Sequence, residues 1–232
     1  MVEMEVEMKE EENIEEKPRF DKNALIGDVL YGAVKGLGLA ALTSFANLRV
    51  EGKENIPYRG KAFITTTSKD GNTVLLDMLI LTQVSGRKIH FMVHPKIMAN
   101  KAYGPILKQL GMIRGTRDKE DTEPIEKIFE ILNDKKNLVG MTPFGNDEIK
   151  IKSMAAIIKF AIVGEAPIIP VAIYYENIKL FNLIPSKGIV VKVGTPIKVE
   201  KRLNREKYRD QRYELAEDII NIIDSLKAKP EE

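Results

Sequence analysis

Three short turns carry the side chains that could do chemistry in this chain. The first turn, residues 68–73 (Ser-Lys-Asp-Gly-Asn-Thr), leads into a helical pattern that contains Asp77. The second carries Arg114 and Arg117, whose guanidinium groups can hold a phosphate through paired hydrogen bonds. The third, residues 142–146 (Thr-Pro-Phe-Gly-Asn), can form a small anion nest from its backbone N–H groups. The second and third turns could therefore bind an anionic group such as a phosphate.

The composition excludes several other chemistries. The chain has no cysteine, which rules out disulfides, thiolate catalysis and Cys-ligated metal clusters. Its two histidines, His90 and His94, lie four residues apart on one face of a predicted strand, but no Asp, Glu or Cys stands at ligand spacing beside them. Nucleotide phosphate loops and the serine-hydrolase elbow are also missing from the sequence. No metal site and no cofactor are therefore predicted.

The charge is distributed unevenly. Residues 1–16 hold eight Glu and one Lys, so the +2 of the whole chain leaves +9 on the remainder. We predict that residues 1–18 are an acidic, disordered tail and that residues 228–232 are a second tail. The basic body suits an anionic membrane surface or a phosphorylated substrate. Nucleic acid is not favoured, because there is no Trp and the basic residues are dispersed.

The elements that must position the three turns alternate along the chain, which favours a mixed or parallel sheet covered by helices. In open sheets of this class, ligands bind beyond the carboxyl ends of the strands, where such turns lie. No linker divides residues 47–227, which we take as one domain. Short apolar runs predict strands at residues 61–67, 87–93, 137–142, 167–174 and 188–194. Helical patterns lie near residues 73–84, 101–110, 123–133, 151–164 and 206–227.

The most apolar long stretch, residues 24–46, precedes this domain. Asp28 and Lys35 interrupt it, so it is not a clean membrane span. With the basic residues before it, we predict that residues 19–46 form an amphipathic helix that associates with anionic headgroups. Those basic residues are Lys17, Arg19 and Lys22. The alternative is a helix buried against the core of the domain.

Five blocks in the order and spacing of these turns resemble the lysophosphatidic acid/glycerophosphate acyltransferase family, the PlsC-like acyltransferases. The resemblance spans about residues 48–227. The blocks are Val50-Glu51-Gly52-Lys53-Glu54-Asn55-Ile56-Pro57; Gly111, Ile113 and Arg117; Pro143 and Gly145; Pro167-Ile168-Ile169-Pro170-Val171; and Val193-Gly194-Thr195-Pro196-Ile197.

The resemblance implies a glycerolipid acyltransferase-type α/β fold, with a mixed, mostly parallel sheet wrapped by helices. It also implies transfer of an acyl chain from acyl-CoA or acyl-carrier protein to a phosphorylated lipid or glycerol acceptor. In this picture Arg117, with Arg114 and Gly145 nearby, would hold the acceptor phosphate. Thr142, Pro143, Phe144 and Pro170 would line the cleft. The location implied is the cytoplasmic face of the membrane, as a peripheral or monotopic protein.

The departures from the family fall on its catalytic residues. The family's first block is N-H-x-x-x-x-D, in which the Asp orients a His that acts as general base. Here Asp77 fits the Asp, whereas the His position is Asn72 or, if the loop has an insertion, Lys69. An asparagine amide cannot accept the acceptor's proton, and loss of a general base costs about 10²–10⁴-fold in rate. Phe144 stands where the family's F-P-E-G block has Glu, so the usual carboxylate is also missing.

Two functions follow from these observations. One is an acyltransferase in which Asp77 and a substituted neighbour lie near the acceptor hydroxyl. The other is a non-catalytic lipid-binding or partner-binding relative at the membrane surface.

Overall fold

The computed structural model describes residues 22–45, 47–68, 71–102, 104–116, 118, 120–180 and 184–227. The two predicted tails lie outside these residues, so their state stays a prediction.

Seven strands form one mixed sheet in the order β1-β7-β6-β2-β5-β3-β4. All neighbouring pairs are parallel except β6 and β7, which form an antiparallel hairpin. The strands are β1 (Arg49–Glu51), β2 (Phe63–Thr65), β3 (Ile89–Val93), β4 (Ile113–Arg114), β5 (Leu138–Met141), β6 (Ile168–Leu180) and β7 (Ile184–Val193). This confirms the mostly parallel sheet that the sequence predicts.

Helices cover both faces of the sheet. They are α1 (Lys22–Phe45), α2 (Gly71–Val84), α3 (Pro95–Met98), α4 (Gly104–Gln109), α5 (Glu123–Asp134), α6 (Asp147–Gly164) and α7 (Arg209–Lys227). Short 3₁₀ turns occupy Lys53–Asn55, Lys201–Asn204 and Glu206–Tyr208.

Two hydrophobic clusters pack on the two faces because strand side chains alternate between them. On one face, Ile64 of β2 and Val171 of β6 pack with residues of α2. On the other face, Phe63 and Ile168 pack with α5, α6 and α7. The short central strands are buried on both faces, which is why they read as continuous apolar runs in the sequence.

The predicted elements are present, with differences at their ends. Helix α6 begins four residues before its predicted start, because the side chain of Asn146 accepts a hydrogen bond from the backbone N–H of Ile149 (2.9 Å) and caps the helix. The last helix starts at Arg209, since 3₁₀ turns replace its predicted first turn. Strand β6 extends past its predicted end because it pairs with β7 over ten residue pairs as far as Leu180 and Ile184.

One face of helix α1 packs against the rest of the domain. A Cβ on Gly27 would come within 2.5 Å of the carbonyl oxygen of Gln109, so only glycine allows this approach. The two charges that interrupt the apolar stretch both have partners: Lys88 and Asp28 form an ion pair at 2.7 Å, and Lys35 donates to the carbonyl of Ser85 at 2.6 Å.

Between residues 26 and 37, where side chains are described, α1 exposes three large apolar side chains. Ile26, Val29 and Leu37 are 53%, 65% and 76% exposed. Among the residues that the structure describes, no helix is both long enough and apolar enough to cross a membrane. The packed face agrees with a helix that lies against the core of the domain, whereas association with a membrane stays a prediction.

Arg87 links two loops at the amino edge of the sheet, where the parallel strands begin. Its buried guanidinium donates five hydrogen bonds, at 2.6–3.0 Å, to main-chain carbonyls of two loops. The acceptors are the carbonyls of Pro57, Gly60, Lys135, Lys136 and Asn137.

Candidate active site

The first and third turns meet at the carboxyl edge of the sheet. The pairing of β2 with β5 continues past the strands to an isolated bridge between Ser68 and Phe144. The N–H of Ser68 donates to the carbonyl of Pro143 at 3.0 Å. Parallel strands end at the same edge, which is why turns more than seventy residues apart in sequence come together.

Ser68 holds Asp77 at this edge. The side-chain hydroxyl of Ser68 donates a hydrogen bond to Oδ2 of Asp77, and both side chains are buried between α2 and the sheet. A charge-assisted hydrogen bond of this kind fixes the orientation of the carboxylate. Sequence analysis placed Ser68 in the first turn but did not select it, because the pairing depends on where α2 crosses the strand end.

Two more hydroxyl groups lie on the same face of the sheet. Pairing of Thr65 with Met141 and of Ser68 with Phe144 places Thr66 opposite Thr142. Within the described part of the chain, the side-chain oxygens of Thr66 and Thr142 are buried and have no hydrogen-bond partner. Buried hydroxyls in proteins are normally satisfied, so this pair is open to a water molecule or to a ligand.

Phe144, predicted to stand at the position of the family's carboxylate, has its ring packed against the apolar cluster on the α2 face. It meets the ring of His94 edge-on, with centroids 6.4 Å apart. His94 caps α3, since its Nδ1 accepts from the N–H of Lys96 at 3.3 Å. The next residue, Gly145, has a φ of 109°, which L side chains rarely adopt.

In the second turn, the predicted phosphate contact Arg114 lies beside two carboxylates. The guanidinium of Arg114 pairs with Asp121 at 2.7 Å and with Glu123 at 3.3 Å. Hydrogen bonding to these carboxylates, Asp121 first, raises the pKa of Arg114. The positive charge of Arg114 is thus already balanced by its neighbours. Arg117 and Lys69 lie outside the described residues, as does the side chain of Asn72, whose backbone is in the first turn of α2.

Pro170 lies beside Thr65 in the pairing of β6 with β2, on the sheet face opposite Asp77. At the strand end on that face, Lys227 of α7 donates to the hydroxyl of Thr67 at 3.2 Å and to Asp224 at 2.7 Å. The predicted cleft residues therefore surround the carboxyl edge from both sides of the sheet.

Tyr175 also belongs to this edge, although it was not among the predicted site residues. It lies on β6 and is 43% exposed. Burial of the ring raises the pKa of the Tyr175 phenol, and the negative charge of Asp77 raises it further.

The imidazole ring of His90 is buried against the turn at Gly111. Its Nδ1 lies 2.7 Å from the carbonyl of Gly111, and burial lowers its pKa. Gly111 has a φ of 78°, and a Cβ there would come within 2.9 Å of the His90 ring. Across the described residues, no group of three or more His, Cys, Asp or Glu side chains could hold a metal ion.

An apolar cavity of about 220 Å³ lies between α1, α2 and α4. Leu75, Met78 and Leu79 line it from α2. At about 100° per residue, Asp77 points to the other side of that helix. The cavity is therefore separate from the carboxyl edge.

Comparisons with known proteins show the family and the fold. The family model described as Acyltransferase matches residues 47–174, which is more than half of the chain. The structure is similar to a crystal structure of the 1-acyl-sn-glycerophosphate (LPA) acyltransferase PlsC from Thermotoga maritima, with a TM-score of 0.58 at 16% identity, covering 89% of this chain and 83% of that one. No curated protein sequence matches the chain. With Asp77 and the turns of the carboxyl edge inside the matched segment, the chain belongs to the acyltransferase family.

Proposed function

We propose that this protein transfers an acyl chain from acyl-CoA or acyl-carrier protein to the hydroxyl group of a phosphorylated glycerol-type acceptor. The observation that carries the proposal is the hydrogen bond from Ser68 to Asp77 at the carboxyl edge. It gives the carboxylate an ordered partner where the family's His is missing, and a carboxylate held in this way can receive a proton.

In the proposed reaction, the acceptor oxygen bonds to the thioester carbon while its proton passes to Ser68, and the proton of Ser68 passes to Asp77. The carbonyl π pair moves onto oxygen. When the intermediate collapses, the C=O bond forms again, the C–S bond breaks, and the departing thiolate takes the proton from Asp77. Residues at the carboxyl edge orient the acceptor, with Arg117 as the family's phosphate contact.

The apolar outer face of α1 supports a membrane location for this reaction. Ile26, Val29 and Leu37 form an exposed stripe that would enter the interfacial region of a leaflet. We propose peripheral attachment at the cytoplasmic face. Val29→Ser combined with Leu37→Ser should reduce co-sedimentation with anionic liposomes, whereas Val163→Ser, at an exposed valine of α6, should not.

Turnover of acyl-CoA with lysophosphatidate or glycerol phosphate tests the enzymatic proposal. We expect wild-type turnover that Asp77→Asn reduces by about 10²–10⁴-fold, as loss of a general base does. Asp218→Asn, at an exposed position of α7, is the matched control. Equal rates for the Asp77→Asn variant and the wild type would contradict the proposed role of Asp77.

A second candidate function is non-catalytic lipid binding. The observation that favours it is the apolar packing of Phe144 where the family has a carboxylate. An inactive wild type that still sediments with anionic liposomes, together with activity in the Asn72→His/Phe144→Glu double variant, would select this candidate.

A further inference from the structure

Strand alternation places Tyr175 on the same face of the sheet as Asp77. On β6, Val171 and Ile173 pack in the cluster that contains α2 residues, and Tyr175 is the next residue with that orientation. Tyr174 has the opposite orientation, and its ring contacts the ammonium of Lys192, with 5.6 Å between the Nζ and the ring centroid. Two adjacent tyrosines thus lie on opposite faces.

Register places Tyr175 above the end of β2. Pro170 of β6 pairs with Thr65 of β2, and the strands run in the same direction. Tyr175 is five residues past this pair, whereas Ser68 is three residues past it. At about 3.3 Å per residue, Tyr175 extends about 7 Å beyond the level of Ser68, toward the crevice where ligands of open sheets bind.

Tyr175 is more exposed to solvent than Ser68 and Asp77. Ser68 and Asp77 are buried, whereas Tyr175 is 43% exposed. A substrate entering the crevice on this face therefore meets the phenol before it reaches the carboxylate.

The protonation state of Tyr175 sets what it can do. Both burial and the charge of Asp77 raise the pKa of its phenol above the ordinary value, which is already far above neutrality. Tyr175 is therefore a hydrogen-bond donor at neutral pH and not a base, so it complements the proton acceptor beneath it.

We propose that Tyr175 is a catalytic residue, whose phenol O–H donates a hydrogen bond to the thioester carbonyl oxygen as that oxygen becomes negatively charged. This inference rests on the proposed acyl transfer and assigns its oxyanion donor. The proton of Tyr175 stays on the phenol throughout, so the proton balance of the proposed reaction is unchanged.

Paired Tyr→Phe variants test the inference. We expect Tyr175→Phe to lower kcat by about 100-fold, as loss of an oxyanion donor does, and to change the KM for acyl-CoA by less than about threefold. Tyr174→Phe is the matched control, because it removes a hydroxyl at the neighbouring position on the other face, and its kcat should stay within about twofold of wild type.

A binding experiment separates this inference from the proposed function. The probes are an S-(2-oxoalkyl)-CoA, which has a carbonyl close to the sulfur, and the S-alkyl-CoA without it. Tyr175→Phe should weaken binding of the ketone by about 3- to 10-fold, the worth of one hydrogen bond, and leave binding of the thioether unchanged.

The results of the kinetic and binding experiments distinguish the role of Tyr175 from the proposed acyl transfer. An active wild type with an unchanged kcat in Tyr175→Phe overturns the inference and leaves the proposed function standing. An inactive wild type whose ketone binding still depends on Tyr175 overturns acyl transfer but supports the carbonyl contact. Equal loss of ketone and thioether binding indicates a packing role and overturns the inference, as does no loss of either.

Discussion

The amino and carboxyl edges of the sheet differ in whether their buried polar groups are hydrogen-bonded. At the amino edge, the guanidinium of Arg87 donates to five main-chain carbonyls of two loops, three of which share the N–H groups of Nη2. At the carboxyl edge, the hydroxyls of Thr66 and Thr142 are buried without partners in the portion of the chain that the structure describes. Both edges are made of strand ends and turns, so the difference does not come from secondary structure.

The contrast indicates that the amino edge contributes mainly to stability and the carboxyl edge mainly to function. A satisfied network resists local opening, whereas unsatisfied buried groups cost free energy that a bound ligand can return. The edge that carries Ser68 and Asp77 is also the one with open hydrogen-bonding capacity. Substitutions at the amino edge should therefore act on unfolding, and those at the carboxyl edge on activity.

The largest expected effect on stability is at Arg87. Replacing Arg87 with Met removes the guanidinium from five carbonyls, of which that of Lys135 keeps the N–H of Gly60 as a donor, and we expect a loss of about 3–5 kcal/mol in the free energy of unfolding. Urea denaturation measures this loss. Arg205→Met, at an exposed arginine, should change the value by less than about 0.5 kcal/mol. A loss below about 1 kcal/mol for Arg87→Met would contradict the claim that the amino edge stabilises the fold.

At the carboxyl edge, Ser68→Ala should lower kcat by about 100-fold, equivalent to about 2.7 kcal/mol, because Asp77 loses its ordered partner. Steady-state kinetics with acyl-CoA measures the change. Ser225→Ala, at an exposed serine of α7, serves as the control. Retention of more than half of the activity in Ser68→Ala would remove Ser68 from the proposed proton path.

A smaller effect should appear at His90 as pH falls. Burial lowers the pKa of His90 in the folded protein, so below about pH 6.5 the unfolded chain binds a proton that the folded chain does not. Stability from this group is present above that pH and is lost below it, by at most about 1.4 kcal/mol per pH unit. His90→Asn should show a shallower decline in urea midpoint between pH 7.5 and 5. Parallel declines in both proteins would show that His90 is not responsible.

The smallest expected effect on stability is at Thr66. Thr66→Val removes a hydroxyl that has no partner among the described residues, so the free energy of unfolding should stay within about 0.5 kcal/mol or rise. Thermal unfolding measures it. Destabilisation by more than about 1 kcal/mol would show that the hydroxyl is satisfied in solution and would weaken the contrast between the edges.

Sequence patterns predicted the sheet, most helices and the family because these depend on local signals. Continuous apolar runs identified β2, β3 and β5, and short blocks such as Pro143 with Gly145 carried the resemblance. The two-residue strand β4 was not predicted, since it is too short for a periodic signal. It exists because Ile113 pairs with Met92 of β3.

The parts of the site that escaped prediction depend on tertiary contacts. The bond from Ser68 to Asp77 requires α2 to cross the end of β2, and the position of Tyr175 requires β6 to continue beyond the sheet as a hairpin. Arg87 looks like an ordinary surface residue in the sequence, because its five partners come from two separate loops. A strand-alternation argument applied to residues after Pro170 would have found Tyr175, had the extent of β6 been known.

The position of β1 has a consequence for how the chain folds. This strand is the first along the chain and an outer strand of the sheet, and it pairs with β7, the last strand. Val50 therefore has no strand partner until Val191 has been synthesised. Loop closure over about 140 residues is among the slow steps of folding. During synthesis, the sheet can therefore be completed only after nearly the whole domain has left the ribosome, while α1 has emerged from the start.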